Sequence, residues 1–540
     1  MSTRLLVGGA VYSPAAPDAT AMAVTDGVVA WVGEDAVGRA LHPGAEVVDL
    51  GGRFVAPAFV DPHVHATSAG LALRGLDLSS AGSLRECLDL VTARAAADRT
   101  GILWGHGWDD SRWPENRPPT RAEIDACAPG RPVYLSRIDV HSALVSDALA
   151  RRAPGVTDAS GWSSEGPLSQ QAHHLVREAA RAALGADQRA LAQRALLDHA
   201  AARGVACVHE CGGAEIAGVE DFRELLAGTH GVQVRGYWGE AVESVEQARA
   251  VLEATTAHGL AGDLFVDGSL GSRTAWLTEP YSDRSPHDDA APEHNTGARY
   301  LEVDAIAAHL LACTQAGVQG GFHVIGDGGV AAVVEALRRV VAELGGPAVA
   351  SRGHRLEHLE MVDATQAGLL GGWGVLASVQ PVFDEVWGGP DGVYAQRLGP
   401  VRGQLLNPLA TLAAAGVGLA IGSDVPVTPL EPWAAVRAAT QHRTPGQSIS
   451  PRAAFTAATR GAWRAGGVRD GVAGTLAPGA PATYAVWEVD HLVVSAPSDS
   501  VQRWSLDPRS GVPALPDLSP GAALPRCVET VRAGEPIFTA

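Results

Sequence analysis

Between its ends the chain alternates short apolar runs with longer stretches rich in alanine, leucine, arginine and glutamate. Residues 188–202 and 329–344 carry the longer pattern and predict helices. Residues 54–60, 205–209, 232–238, 264–267, 319–323, 355–358, 375–380 and 417–421 carry the shorter one and predict buried strands. Strand and helix in alternation imply a parallel sheet, and eight strands are what a closed (β/α) barrel needs. A barrel of about 250 residues gives roughly 31 per repeat. The step from His323 to His358 is 35 residues and that from His358 to Asp424 is 66, about one and two repeats. Residues 63 and 65, 323, 358 and 424 are thereby assigned to strands 1, 5, 6 and 8. The 140 residues from His65 to Val205 are too many for one repeat, so a large insertion is expected over about 70–200.

The two ends read differently. Residues 28–33 follow Asp26-Gly27, a hairpin signal, and residues 47–50 precede Gly51-Gly52. Residues 471–476 and 484–489 also read as strands. The expected organisation is α/β: a small β domain from residues 1–53 and 471–540, and a barrel domain over 54–470.

Composition narrows the function. Of 540 residues, 46% are hydrophobic and 19% charged, a globular balance. The net charge of −19, with no basic cluster, argues against nucleic acid. No apolar run is long enough to span a bilayer and the start has no signal-peptide pattern, so no membrane partner is expected. The six cysteines are scattered, which fits free thiols in a reducing cytoplasm. All 41 basic residues are arginine. A lysine Schiff base and a carboxylated lysine bridging two metals are both excluded.

The candidate chemistry begins at Asp61-Pro62-His63-Val64-His65. Residues i and i+2 of a strand share a face, so both imidazoles point the same way. His323 stands in Gly321-Phe322-His323-Val324-Ile325-Gly326-Asp327, His358 in Arg355-Leu356-Glu357-His358, and Asp424 in Gly422-Ser423-Asp424-Val425-Pro426. Barrel strand ends converge on one pocket, and four imidazoles with one carboxylate suit zinc. The metal ligands expected are therefore His63, His65, His323, His358 and Asp424. A divalent ion lowers the pKa of a bound water toward ~7. Asp424 is the expected general base and acid, with His358 or His323 supporting the oxyanion.

These motifs resemble the metal-dependent amidohydrolase superfamily, specifically its YtcJ-like branch, which includes N-substituted formamide deformylases. Asp267-Gly268-Ser269-Leu270-Gly271-Ser272-Arg273, Gly107-Trp108-Asp109, Asp139-Val140-His141-Ser142 and Gly474-Thr475-Leu476-Ala477-Pro478-Gly479 extend the resemblance over nearly the whole chain. It implies a TIM barrel with a β-sandwich from both termini, and a metal centre lined by His63, His65, His323, His358 and Asp424. Relatives carry a lysine or acid near strand 4 that bridges two metals; here the place falls on Asp263 or a neighbour. One zinc ion is the preferred count, with a second ion or another divalent metal left open.

Further candidates have two readings each. Arg273 either binds substrate charge or makes an ion pair. Asp267 either joins the site or bonds a turn. Trp108, Asp109 and Trp113 either line the pocket or are core. His141 contacts substrate or caps local structure, and Glu210 is a partner to the ligands or a solvated loop acid. Gln380 ends strand 7 at the same rim, and His173-His174 reads as solvated. The substrate expected is a small molecule, with a homodimer allowed. Three hypotheses compete: hydrolysis of an N-acyl or N-formyl bond, ring opening or deamination of a heterocycle at the same site, and a non-catalytic metal-binding regulator.

Overall fold

The computed structural model describes residues 2–110, 113–137, 142–214, 216–283, 295–494 and 512–540. Its contacts divide the chain into two units, residues 1–65 with 198–540, and residues 66–197.

In the larger unit both ends of the chain build sheets. Val28–Gly33, Ala21–Thr25, Thr3–Val7 and Glu46–Asp49 lie side by side in that order. Asp26 and Gly27 have φ of 47° and 79°, and Thr25 pairs with Val28 across them. That is the two-residue turn an Asp-Gly pair favours. A second sheet runs Ala10–Val11, Phe54–Pro57, Tyr484–Glu488, Arg526–Arg532, Glu535–Thr539. Leu6, Met22, Val24, Val55, Tyr484, Val486 and Val531 are buried in one cluster. Tyr484 and Val486, two apart in a strand, share that buried face.

Parallel strands form the rest of this unit's framework. Phe59–Val64, Val205–Gly212 and Gln233–Trp238 make a three-stranded sheet with Val205–Gly212 central. Gly321–Val324, Arg355–His358, Leu376–Val379 and Gly418–Ile421 make a four-stranded one. Isolated parallel bridges link the two sheets: Tyr237 to Gly259, Leu260 to Gly320, Phe265 to His323, and Val64 to Val425. Helices such as Val219–Ala227, Val245–Thr255, Val303–Ala316 and Asp327–Leu344 follow strands as the alternating pattern requires.

Three sequence expectations are corrected. The run 54–60 is two strands, because Pro57 cannot extend a ladder through its nitrogen. Its first half pairs with Tyr484–Glu488 in the terminal sheet and its second half with Val205–Gly212. Residues 264–267 form one isolated bridge, Phe265 to His323, rather than a strand. Residues 471–476 are turns, with the Val472 and Ala473 amides bonded to Asp470.

The smaller unit has its own five-stranded sheet, ordered Leu168–Ser169, Ser142–Val145, Val133–Arg137, Leu103–Trp108, Leu76–Asp77. Its core includes Leu78, Val91, Leu103, Trp108 and Trp113. His173 is buried with Nε2 2.9 Å from the Tyr134 hydroxyl, against the solvated reading. Among the described residues, all six cysteines are free and no helix is long and apolar enough to cross a membrane.

Candidate metal centre

The carboxyl ends of the parallel strands in the larger unit bring the expected ligands together, with one residue added. His63 Nε2 lies 3.3 Å from Asp263 Oδ1 and 3.5 Å from Asp424 Oδ1. His65 Nε2 lies 3.3 Å from both Asp263 Oδ2 and Asp424 Oδ1. His323 Nδ1 is 3.7 Å from Asp263 Oδ1. The His358 ring is centred 5.1 Å from that of His63 and 4.5 Å from that of His323. His63–His65–Asp424 and His63–Asp263–His358 each place their ligand atoms within 4.8 Å of one another. Ligands bound at about 2.0–2.2 Å around a tetrahedral ion stand roughly 3.3–3.6 Å apart. The distances from the His63 and His65 nitrogens to the Asp263 and Asp424 oxygens meet that spacing.

Three of the four imidazoles have their other nitrogen occupied, which selects the tautomer that faces the cluster, whereas His65 Nδ1 is buried with no partner. His63 Nδ1 meets Glu357 Oε2 at 2.9 Å. His358 Nδ1 meets Gln380 Oε1 at 2.8 Å, and His323 Nε2 meets the Gly268 carbonyl at 3.2 Å. His63 Nε2, Asp263 Oδ1 and Asp424 Oδ1 are buried and have no hydrogen-bond partner. Unpaired buried groups of this kind are costly. Two carboxylates among imidazole lone pairs are a donor set that a divalent cation satisfies, so the residues fit a metal.

Backbone geometry makes the convergence possible. Consecutive strand residues face opposite ways, yet Glu357 and His358 both reach the cluster. His358 has φ of 72°, which turns its side chain back toward the site. Asp424 has φ of 56°, a conformation aspartate tolerates better than most residues. The Asp61 carboxylate accepts the Ser423 amide at 3.1 Å and the His63 amide at 3.2 Å. Asp424 N donates to the His63 carbonyl at 2.9 Å. A Cβ on Gly422 would stand 2.5 Å from Asp61 Oδ1, so this seam needs glycine there.

The electrostatics match. Burial works against charging His63, yet Cys211, Asp424 and Asp263 hold its pKa well above the ordinary value. Against burial, His65 is also raised by Asp424 and Asp263, and His323 by Asp263 and Asp267. Burial, with His323 nearby, lowers His358 to about 4, a neutral imidazole at neutral pH. In metal-free protein the raised imidazoles contribute stability that is complete below their ordinary value of 6.5 and fades as pH rises through the raised values. A cation needs them deprotonated and reverses the trend. The gap in Tm between metal-loaded and metal-free protein is therefore expected to widen from about pH 6 to about pH 9. Calorimetric melts at both pH values check this, and a narrowing gap contradicts it.

Other expected site residues are placed elsewhere. Arg273 grips Asp283 through Nε at 3.0 Å and Nη2 at 2.6 Å, and Arg397 Nη1 joins the same carboxylate at 2.5 Å. Its charge is spent on fixing a loop. Asp267 accepts the amides of Trp276, Ile325 and Gly326 at 2.9, 3.0 and 2.7 Å, and so bonds a turn. Trp108 is buried in the core of the smaller unit, its indole bonded to the Leu135 carbonyl at 2.9 Å. Gln380, 1% exposed, is committed to orienting His358. Glu210 is buried within its strand, not a solvated loop acid. His141 lies outside the described residues. Glu357, missing from the expected set, is locked by Arg355 at 2.6 Å. Its one signal was the spacing of Arg355 and Glu357, which puts both on one strand face.

A cavity of about 300 Å³ opens on the cluster, lined by His65, Asp263, His323, His358 and Asp424. Phe265, Leu270, Ile325, Phe383, Trp387 and Val427 supply its apolar wall.

Residues 46–538 match the model of the amidohydrolase family. The chain is 27% identical over 523 residues to Protein LONG AFTER FAR-RED 3 of Arabidopsis thaliana, covering 89% of this chain and 86% of that protein. It is 25% identical over 466 residues to the putative amidohydrolase YtcJ of Bacillus subtilis, covering 80% and 82%. The crystal structure of an uncharacterized metal-dependent hydrolase from Pyrococcus furiosus superposes with a TM-score of 0.74 at 25% identity, covering 90% of this chain and 98% of that one. The fold is accordingly of the TIM-barrel type, and the chemistry is metal-dependent hydrolysis of C–N bonds. With the family model spanning almost the full length and full-length relatives of the same kind, this chain belongs to the metal-dependent amidohydrolase superfamily, in its YtcJ-like branch.

Proposed function

We propose that the protein hydrolyses the C–N bond of a small N-acyl or N-formyl derivative of a partly apolar amine, using zinc. The observation that carries this reading is the Asp424 carboxylate. Its Oδ1 is buried, has no hydrogen-bond partner, and stands 3.3 Å from His65 Nε2 beside an apolar cavity. His63, His65, Asp263 and Asp424 would hold the ion, with His323 and His358 beside them. When bound, the ion acidifies the attacking water and polarises the scissile carbonyl. Asp424 accepts the water's proton at its carboxylate and returns it to the departing nitrogen. Glu357 and Gln380 keep His63 and His358 in the tautomers this arrangement needs. The apolar wall takes the amine portion and excludes bulk water. His63 Nε2 faces both Asp263 and Asp424, and one lone pair serves one ion, which favours a single metal. The motif resemblance to N-substituted formamide deformylases supports the formamide choice.

The parallel strands, with the bridged segment 259–266, are read as a closed eight-fold barrel. The paired terminal sheets are read as a β-sandwich. Residues 66–197 are the insertion after the first barrel strand. Six free thiols favour a reducing, cytoplasmic setting.

The test is direct. Purified protein is stripped with a chelator, reloaded with zinc, and offered N-formyl amines, N-acyl amines and amino-substituted heterocycles, with formate, carboxylate and ammonia measured separately. Formate or carboxylate release that vanishes on stripping and returns on reloading is expected. Ammonia release from a heterocycle instead would select the deaminase reading. Metal-replete protein that releases neither product would reject both.

A further inference from the structure

The cavity beside the metal centre has one polar feature that the proposed chemistry leaves unused. Glu360 lines it, is 3% exposed, and its Oε2 has no hydrogen-bond partner. Tyr394 lines the same cavity, and its hydroxyl is buried and likewise unpartnered. Asn407 is tied to Glu360 by a bond from its backbone amide to the Glu360 carbonyl at 2.9 Å, and its side-chain Nδ2 is also unpartnered. Tyr394 lies close enough to interact with both Glu360 and Asn407, but none of them meets another through a side-chain hydrogen bond of ordinary geometry. The surrounding wall is apolar.

A buried carboxylate oxygen and a buried phenol in the wall of a largely apolar cavity, held to each other only by a loose contact, are expensive to maintain, and a ligand that supplies partners removes the cost. A carboxylate asks for an N–H or O–H. We propose that Glu360 is a specificity-determining residue that accepts a hydrogen bond from a donor on the apolar portion of the substrate, with the Tyr394 hydroxyl beside it in the cavity wall and Asn407 supporting both from behind. The substrate class is then a small aryl or arylalkyl amide carrying a hydroxyl or amino group away from the scissile bond, rather than a plain hydrocarbon amide. A site built around a hydrogen bond rejects the analogue that lacks the donor, because the buried acceptor is left unpaired. The assignment rests on the C–N hydrolase reading for the reaction, but not for the binding preference.

The experiment measures binding and turnover separately on the zinc-loaded protein. The probes are N-formylphenethylamine and its ortho-, meta- and para-hydroxyl derivatives. Calorimetry is expected to show at least one hydroxylated probe binding about 10- to 100-fold more tightly than the parent. Glu360→Leu is expected to abolish that preference, and Glu360→Gln, which retains a neutral acceptor, to reduce it. Should Glu360→Leu fail to fold, the reduced preference in Glu360→Gln decides. Equal binding of all probes, binding of none, or a preference that survives substitution at Glu360 would overturn the proposal. A Glu360-dependent preference without hydrolysis of any probe would uphold the pocket assignment and count against the formamide reading alone.

Discussion

Asp424→Asn is expected to lower kcat/KM by about a thousandfold, within the range that a positioned acid–base group contributes. Asparagine preserves the size of the side chain and tolerates the left-handed φ of 56° at this position. It removes the negative charge beside His63 and His65 and cannot accept the proton of the attacking water. The fold should survive, because the backbone bond from Asp424 N to the His63 carbonyl at 2.9 Å is independent of the side chain. Steady-state kinetics with matched circular dichroism and metal analysis check the prediction. Turnover equal to that of the parent, at equal metal content, would remove Asp424 from the mechanism.

The second large effect is on stability. Arg355 is fully buried, bonded to Glu357 Oε1 at 2.6 Å, Glu357 Oε2 at 2.9 Å and the Pro62 carbonyl at 2.6 Å. Its guanidinium also stands 4.3 Å from the centre of the Tyr237 ring. Burial pushes the Glu357 carboxyl up, but Arg355 and His63 hold it well below the usual range. Arg355→Met leaves that carboxylate buried with no guanidinium, and is expected to cost about 3–5 kcal/mol. The double variant Arg355→Met/Glu357→Gln should cost less than the single, since no uncompensated charge remains. Urea unfolding of metal-free protein isolates the effect from metal binding. A single variant as stable as the parent would show that the ion pair is not what stabilises this strand. Loss of the pair should also weaken metal binding, because Glu357 is what holds His63 Nδ1.

Much of the site was legible in the chain because metal ligands are rare residue types placed where apolar runs end. His63 and His65 share a face by strand periodicity, and the spacing from His323 through His358 to Asp424 follows the repeat length of a barrel. Asp263 was only half legible. It follows Gly262, whose φ is 78°, in a stretch with isolated bridges but no continuous ladder. Without strand periodicity there is no pattern from which to read the direction of its carboxylate. Arg273 and Asp267 carried the right chemistry for a site, but Asp283 and three backbone amides reach them first. No one-dimensional pattern records such competition.

Local periodicity and residue type, being properties of neighbours along the chain, by themselves determined the alternating strands and helices, the absence of lysine chemistry, and the histidines and aspartate that could meet a metal. The tertiary structure alone decided which acids join them, which imidazole nitrogens are held by a partner, and that a Glu360 oxygen with no ordinary hydrogen bond lines the cavity. Those outcomes depend on groups hundreds of residues apart competing for the same hydrogen bonds, and only the packed molecule settles which partner is nearest.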